Sequence, residues 1–483
     1  MNELHYLNIV DKKANMHSVL SARGYAIPKE GNEELVETLR TELTVEPRSN
    51  PTMPGATVRA FPVYRENSKK IYLPRFYGIE RFGIPSKNVL HSGDPAPGLV
   101  FSGKVRPEQE APAAAFLEAA RDPARGGGLL VLPCAFGKTA LSLYLACQLG
   151  KKTLVICHKE FLMNQWRERI ATFVPTCRVG LIKGKAADTA DKDIVLATLQ
   201  SIAMKDYPPQ MFAEFGFVII DETHHIAAEV FSRALPKITA PAMLGLTATP
   251  DRKDGLRRVF EWFLGRPVYE IRKRADTQLE VQVVDYESDD PEYCRERLMY
   301  NGRPNIAALV NAVCGYEPRT NMIIGLIKDV MNETGRKILV LSDRRAHLDA
   351  MQRKTATALP MFTTGFYVGG MKQEALDASA KQDIIFATTN MAAEGLDIPA
   401  LNTLILASPI TSLEQPIGRI QRLKPHERTH VPLVIDVWDK FSLFLSQGFR
   451  RMRFYKKNKY TIRGTEESEA PAKKKMEFLE EDE

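Results

Sequence analysis

Between residues 129 and 270 the chain alternates short, uninterrupted apolar runs with stretches whose apolar positions recur at helical spacing. The runs are 129–132, 153–157, 193–197, 217–220 and 242–246, and the helical stretches include 139–148 and 161–173. A strand that reads as a continuous apolar run, without polar alternation, is buried on both faces, so the pattern predicts a parallel sheet covered by helices. Runs at 336–341, 383–387, 403–407 and 435–438 repeat it further on. Residues 1–98 read differently. Their apolar runs are short and broken by proline and glycine, which suggests a small strand-rich module. The expected fold class is therefore α/β: two tandem parallel-sheet domains behind a small N-terminal α+β or β-rich module. The expected boundaries are a module at 1–98, a first sheet domain at 99–270, a connecting segment at 271–320 and a second sheet domain at 321–440. A basic extension at 441–463 follows, its helix packed through Phe441, Phe444, Leu445, Phe449 and Met452, and then an acidic tail at 464–483.

In such sheets ligands gather at the carboxyl ends of the strands, and the chemistry-bearing residues fall there. The run 129–132 leads into Pro133, Cys134, Ala135, Phe136, Gly137, Lys138 and Thr139, and then into a helix. A strand that turns tightly into a helix leaves backbone N–H groups free for an anion. Lys138 then lies against the β- and γ-phosphates, and Thr139 puts its hydroxyl on Mg²⁺. The first glycine of the usual Gly-x4-Gly-Lys-Ser/Thr pattern is replaced by Leu132, so the reading needs support from elsewhere. It comes from Asp221 and Glu222, directly after the run 217–220. Asp221 can hold Mg²⁺, and Glu222 can orient and deprotonate an attacking water; a bare acidic helix start is the alternative. Gln109, with Arg106 upstream of the loop, can read an adenine edge through its amide. His224 with Thr247 and Thr249 can relay the state of the γ-phosphate. His224 and His225 lack a third metal ligand at sensible spacing.

Charge and cysteine usage narrow the class. The net charge of +7 hides a tail of eight acidic residues and three lysines, which leaves the body before it at +12. A body that basic fits a polyanion partner as well as a merely solvated surface. Arg450, Arg451, Arg453, Lys456, Lys457, Lys459 and Arg463 cluster with Phe454, Tyr455 and Tyr460, either as a phosphate-contacting extension or as a solvated face. Arg75, Phe76, Tyr77, Arg81 and Phe82 fit either a base-stacking surface or an ordinary core with surface arginines. Six scattered cysteines argue against a zinc site and for reduced thiols. With no long apolar stretch and no signal-peptide order at the start, the expectation is a soluble intracellular protein without a membrane partner.

The ordered set LPCAFGKT, VICH with Gln165-Trp166, ATLQS, DETH, GLTATPDRKDGL, TTNMAAEGLD and QPIGRIQR resembles the superfamily 2 DExH helicases over about residues 104–440. Within them it is most similar to the xeroderma-pigmentosum group B-like branch, the poxvirus transcript-release helicase and relatives in large nucleocytoplasmic DNA viruses. The resemblance implies two RecA-like domains using ATP and Mg²⁺. It implies that Gln415, Gly395 and Asp397 join the ATP site, and that Arg419 and Arg422 reach the γ-phosphate as an arginine fork. Thr198, Gln200, Arg252, Thr388 and Thr389 are implied to contact nucleic acid, extended by Arg450, Arg451, Lys456 and Lys457. The implied activity is that of an ATP-dependent DNA helicase or translocase, with DNA ahead of RNA as partner and with transcription or repair machinery alongside. An RNA helicase and a non-hydrolysing nucleic-acid scaffold are the alternatives. If viral, the protein is expected in the host cytoplasm or nucleus, or packaged in the virion. The family usually has glycine where this chain has Ala135, which at a positive φ would cost on the order of 1 kcal/mol and weaken nucleotide binding.

Overall fold

The structure, a computed structural model, describes residues 17–47, 60–133, 136–221, 228–248, 256–271, 278–394, 396, 398–423 and 425–464. The chain divides into two compact units, Met1–Arg274 and Ala275–Glu483.

The first unit holds two main sheets. The N-terminal one has five short strands in the order Arg65–Glu66, Lys70–Leu73, Gly24–Pro28, Val19–Ser21 and Lys87–Asn88. Helix Arg75–Phe82 carries the aromatic stretch and turns it inward. Tyr77 meets the Trp262 ring edge-on at 5.4 Å. Arg75, only 4% exposed, donates to the carbonyls of Ala240 (2.6 Å) and Pro241 (2.8 Å). Burial lowers its pKa to about 10, so two carbonyl acceptors partly offset the loss of water. Of the two sequence readings of this stretch, the structure supports the packed core.

The larger sheet has eight strands. Their order is Ala186–Asp188, Val179–Lys183, Ile194–Thr198, Thr153–Cys157, Phe217–Ile220, Ala242–Thr247, Gly127–Val131 and Pro267–Glu270. All pairings are parallel except the edge pair Val179–Lys183 with Ala186–Asp188. Every residue of Gly127–Val131, Thr153–Cys157, Phe217–Ile220 and Ala242–Thr247 is buried. That burial is why these strands read as unbroken apolar runs.

The second unit is built on seven parallel strands in the order Thr364–Tyr367, Ile384–Ala387, Ile338–Leu341, Thr403–Leu406, Leu433–Asp439, Glu280–Tyr286 and Thr461–Arg463. Two sequence boundaries change here. The stretch expected to connect the domains supplies strand Glu280–Tyr286, which pairs along its whole length with Leu433–Asp439. Its alternating apolar and polar residues disguise it as a surface segment. The basic extension is likewise part of the unit, through helix Ser442–Lys457 and strand Thr461–Arg463.

That helix buries Phe444, Gly448, Arg451 and Tyr455 and leaves Leu445 exposed, contrary to the expected packing. Gly448 sits so close to Trp438 that a Cβ would lie 1.9 Å from the indole. Among the described residues, two ion pairs have both partners buried inside the unit. Arg319 grips Asp439 through both carboxylate oxygens (2.6 and 2.9 Å), and Tyr293 donates to the same carboxylate at 2.6 Å. Arg451 pairs with Asp436 at 2.8 Å. Among the described residues no helix is long and apolar enough to cross a membrane.

Candidate active site

The first unit's site is built at the carboxyl ends of its central strands. Leu132 and Pro133 follow strand Gly127–Val131, and Gly137, after Phe136, caps helix Lys138–Leu149. Leu132 N–H donates to the Thr247 carbonyl at 2.9 Å, tying the start of the loop to the end of strand Ala242–Thr247. Gly137 is left-handed at φ 82°. A Cβ there would lie 2.8 Å from both an Arg106 guanidinium nitrogen and the Gln109 amide nitrogen. The left-handed backbone requires glycine, and a Cβ would also push aside the ends of these two side chains. Lys138 and Thr139 then open the helix, where first-turn N–H groups have no intrahelical acceptor and suit a phosphate.

Arg106 and Gln109 brace this loop from below. Gln109, 4% exposed, accepts from Arg106 N–H at 3.1 Å and donates to the carbonyls of Phe136 (3.0 Å) and Gly137 (3.3 Å). Arg106 also donates to the Phe136 carbonyl. The amide assigned to an adenine edge is thus engaged at both ends with the protein, because Gln109 is the N3 residue of a capping box opening helix Pro107–Arg121. Its place is under the loop.

Asp221 follows strand Phe217–Ile220 and is 7% exposed. The indole N–H of Trp166, on helix Glu160–Phe173, donates to Asp221 Oδ2 at 2.8 Å. In the sequence Trp166 stands only within a motif, and nothing there assigns it a role. A buried tryptophan needs an acceptor for its N–H, and a carboxylate at the next strand end is a natural one. Thr247 lies at the end of the adjacent strand, buried. Lys138, Thr139 and Asp221 form a donor set that fits a magnesium-bound triphosphate: a cation, a hydroxyl and a carboxylate beside a glycine cradle that a side chain would fill. Cys134, Ala135, Glu222, His224, Thr249 and Arg252 lie outside the described residues.

Thr198 and Gln200 separate in role. Thr198 caps helix Leu199–Met204; its hydroxyl accepts from Ser201 N–H at 3.3 Å and shares a 2.6 Å hydrogen bond with the Ser201 hydroxyl. That hydroxyl, expected on a phosphate, is used by the cap. Gln200 is exposed.

In the second unit Arg419 and Arg422 converge on one acceptor. Arg419 donates to the Leu396 carbonyl at 3.0 Å and Arg422 at 3.2 Å. Helix Glu414–Ile420 ends before Arg422, so the turn after the helix, and not a shared helical face, brings them together. Gln415 is half-buried on that helix. Thr388 and Thr389, half-buried, follow strand Ile384–Ala387. Gly395 and Asp397 lie outside the described residues.

The basic cluster divides. Arg450, Lys456 and Lys457 are exposed, whereas Arg451 is 3% exposed and donates to Asp436 and, at 3.1 Å, to the Ile410 carbonyl. Burial works against its charge, yet the Asp436 carboxylate holds the guanidinium above its ordinary value. Arg451 is a core residue and is removed from the nucleic-acid set. Its helical register with Phe444, Gly448 and Tyr455, opposite the aspartate Asp436 in a buried strand, is the signal that marks it.

A glycine-capped phosphate loop and a buried carboxylate, at the carboxyl ends of the two strands that flank Ala242–Thr247, in a chain with a second parallel-sheet unit, define the class of P-loop nucleoside triphosphatases. Residues 102–252 match the family described as "Type III restriction enzyme, res subunit", and residues 319–424 match the helicase conserved C-terminal domain. A protein of Acanthamoeba polyphaga mimivirus named as an ATP-dependent RNA helicase is 31% identical over 457 residues, 93% of this chain and 87% of the relative. A protein of Escherichia phage T5 named as a helicase is 29% identical, covering 67% of this chain and 70% of the relative. A protein of African swine fever virus named as an ATP-dependent RNA helicase is 24% identical, covering 69% of each. The chain belongs to the superfamily 2 helicases, among those of large DNA viruses, and its two parallel-sheet units are the RecA-like domains of that family.

Proposed function

We propose that this helicase uses ATP with Mg²⁺ to move along nucleic acid. The observation that carries the reading is the placement of the Gly137 cradle, Lys138 and Thr139 after one strand and the Trp166-held Asp221 after another, at the same end of the sheet on either side of strand Ala242–Thr247. Lys138 and the first-turn N–H groups bind the phosphates, Thr139 and Asp221 position the metal, and Glu222 takes the proton of the attacking water. Arg419 and Arg422, which both donate to the Leu396 carbonyl, are the pair this reading assigns to charge on the γ-phosphate. His224, Thr247 and Thr249 carry the state of the phosphate to the nucleic-acid side. Gln200, Thr388, Thr389 and Arg252 contact the strand, with Arg450, Lys456 and Lys457 adding cations. These are backbone contacts, so base sequence matters little.

From the sequence, DNA is the expected partner ahead of RNA. Two of the relatives carry RNA helicase in their names, so the reading supported here is nucleic acid, with RNA on equal footing. ATP turnover measured alone and with duplex DNA, single-stranded DNA and single-stranded RNA tests it. Stimulation of tenfold or more by at least one of these is expected and names the substrate. Absence of turnover with all of them overturns the reading.

A further inference from the structure

The outer face of helix Ser442–Lys457 is an unusual surface. Arg450, Arg453 and Lys457 fall at i, i+3 and i+7 and so form one stripe; Lys456 flanks it, and Lys459 continues it beyond the helix end. All five are exposed. Among the described residues none of their side chains has a hydrogen bond or an ion pair. Cations elsewhere in the same unit do: Arg463 pairs with Glu280 at 2.9 Å, Lys440 with Asp285 at 3.0 Å and Arg336 with Glu333 at 2.7 Å.

Like charges three and four residues apart destabilise a helix. Here Arg450–Arg453, Arg453–Lys456 and Arg453–Lys457 all stand in that relation, with no acid on the stripe to relieve them. The helix tolerates this because its other face is firmly anchored. Arg451 is bound to Asp436, Tyr455 donates to the same carboxylate at 3.0 Å, and Gly448 lies flush against Trp438. The result is a row of unneutralised cations on a rigid support, rising about 10 Å from Arg450 to Lys457 at 1.5 Å per residue. That length spans two phosphates of a nucleic-acid strand, and a polyanion relieves all three repulsions at once.

We propose that this stripe is a phosphate-backbone binding surface, which engages nucleic acid through charge alone and independently of nucleotide. It rests on the helicase reading for its partner but not for its measurement. Phosphate neutralisation releases counterions, so each cation that contacts a phosphate adds about 0.7–0.9 to the slope of log affinity against log salt.

The experiment measures binding of single-stranded DNA and RNA across a salt series without ATP. It compares the parent, the variant R450Q/R453Q/K456Q/K457Q and a control, K328Q/R353Q/K372Q/K381Q, which removes the same charge at exposed positions elsewhere in the unit. The stripe variant is expected to lose about one and a half units of slope, for two phosphate contacts, and at least tenfold in affinity at low salt, with an unfolding temperature equal to or above the parent's because the like-charge pairs are relieved. The control is expected to lose less than one unit. A stripe variant with the parent's slope overturns the proposal, and so does a control that loses as much slope, since the effect would then be net charge. Should the ATPase prove insensitive to nucleic acid, the helicase reading fails while this measurement still stands or falls by itself.

Discussion

The indole N–H of Trp166 donates to Asp221 Oδ2 at 2.8 Å, with both side chains buried. One oxygen of the carboxylate proposed to hold the metal is thereby fixed by helix Glu160–Phe173 of the same unit. Trp166→Phe keeps most of the ring volume and removes the donor. It should cost about 1–3 kcal/mol for the unsatisfied buried carboxylate oxygen and raise the Mg²⁺ concentration needed for half-maximal ATP turnover several-fold. A Mg²⁺ titration of ATPase activity, with thermal unfolding alongside, checks both.

Gly137 stands at φ 82° with Arg106 and Gln109 pressed against the place a Cβ would take. Gly137→Ala forces a left-handed alanine, costing about 1–2 kcal/mol before any displacement of the two braces. ATP affinity, measured by titration calorimetry, should fall tenfold or more. Affinity equal to the parent would show that the loop reaches its binding form by another route.

Arg450 and Arg451 are neighbours with opposite fates. Arg451→Gln leaves Asp436 buried beside Tyr455 without its cation and should destabilise the protein by about 3–5 kcal/mol. Arg450→Gln, on the exposed side, should change stability by less than about 0.5 kcal/mol. Denaturant unfolding of the two variants separates them.

How much of this was legible in the sequence depended on the kind of signal. The central strands were readable because burial on both faces removes polar residues altogether, as in Phe217–Ile220 and Ile338–Leu341. Strand Glu280–Tyr286 was lost because its alternation reads as a surface segment. The chemical groups Lys138, Thr139 and Asp221 were legible from type and position at strand ends. Their supports were not. Trp166, Arg106 and Gln109 act through contacts between residues far apart in the chain, 55 positions for Trp166 and Asp221. Arg451 was misread for a related reason: a run of cations looks uniform until the helical register shows which one points inward.

His347 offers a pH handle. Burial, with the Arg319 guanidinium nearby, lowers its pKa from the ordinary value to about 3, and its ring lies 3.0 Å from the Ser342 hydroxyl and 3.4 Å from that of Thr320. The unfolded chain binds a proton near pH 6.5 that the folded protein refuses until about pH 3. The stability His347 contributes is therefore complete above pH 6.5 and is lost as pH falls toward 3, with a slope of up to about 1.4 kcal/mol per pH unit. His347→Gln should flatten the fall in unfolding free energy between pH 6 and pH 4 relative to the parent. An identical pH profile would mean that other groups set it.

The central claim is that ATP hydrolysis at the Lys138–Asp221 site drives movement on nucleic acid, and displacement of a protein roadblock from a labelled strand tests it most directly. The nucleic acid that stimulates turnover is used, with ATP, with a non-hydrolysable analogue, and with the Glu222→Gln variant. The account predicts displacement only for the parent with ATP, while the variant still binds both ATP and the strand. Binding without ATP-dependent displacement by the parent would contradict it and leave a nucleic-acid scaffold in its place.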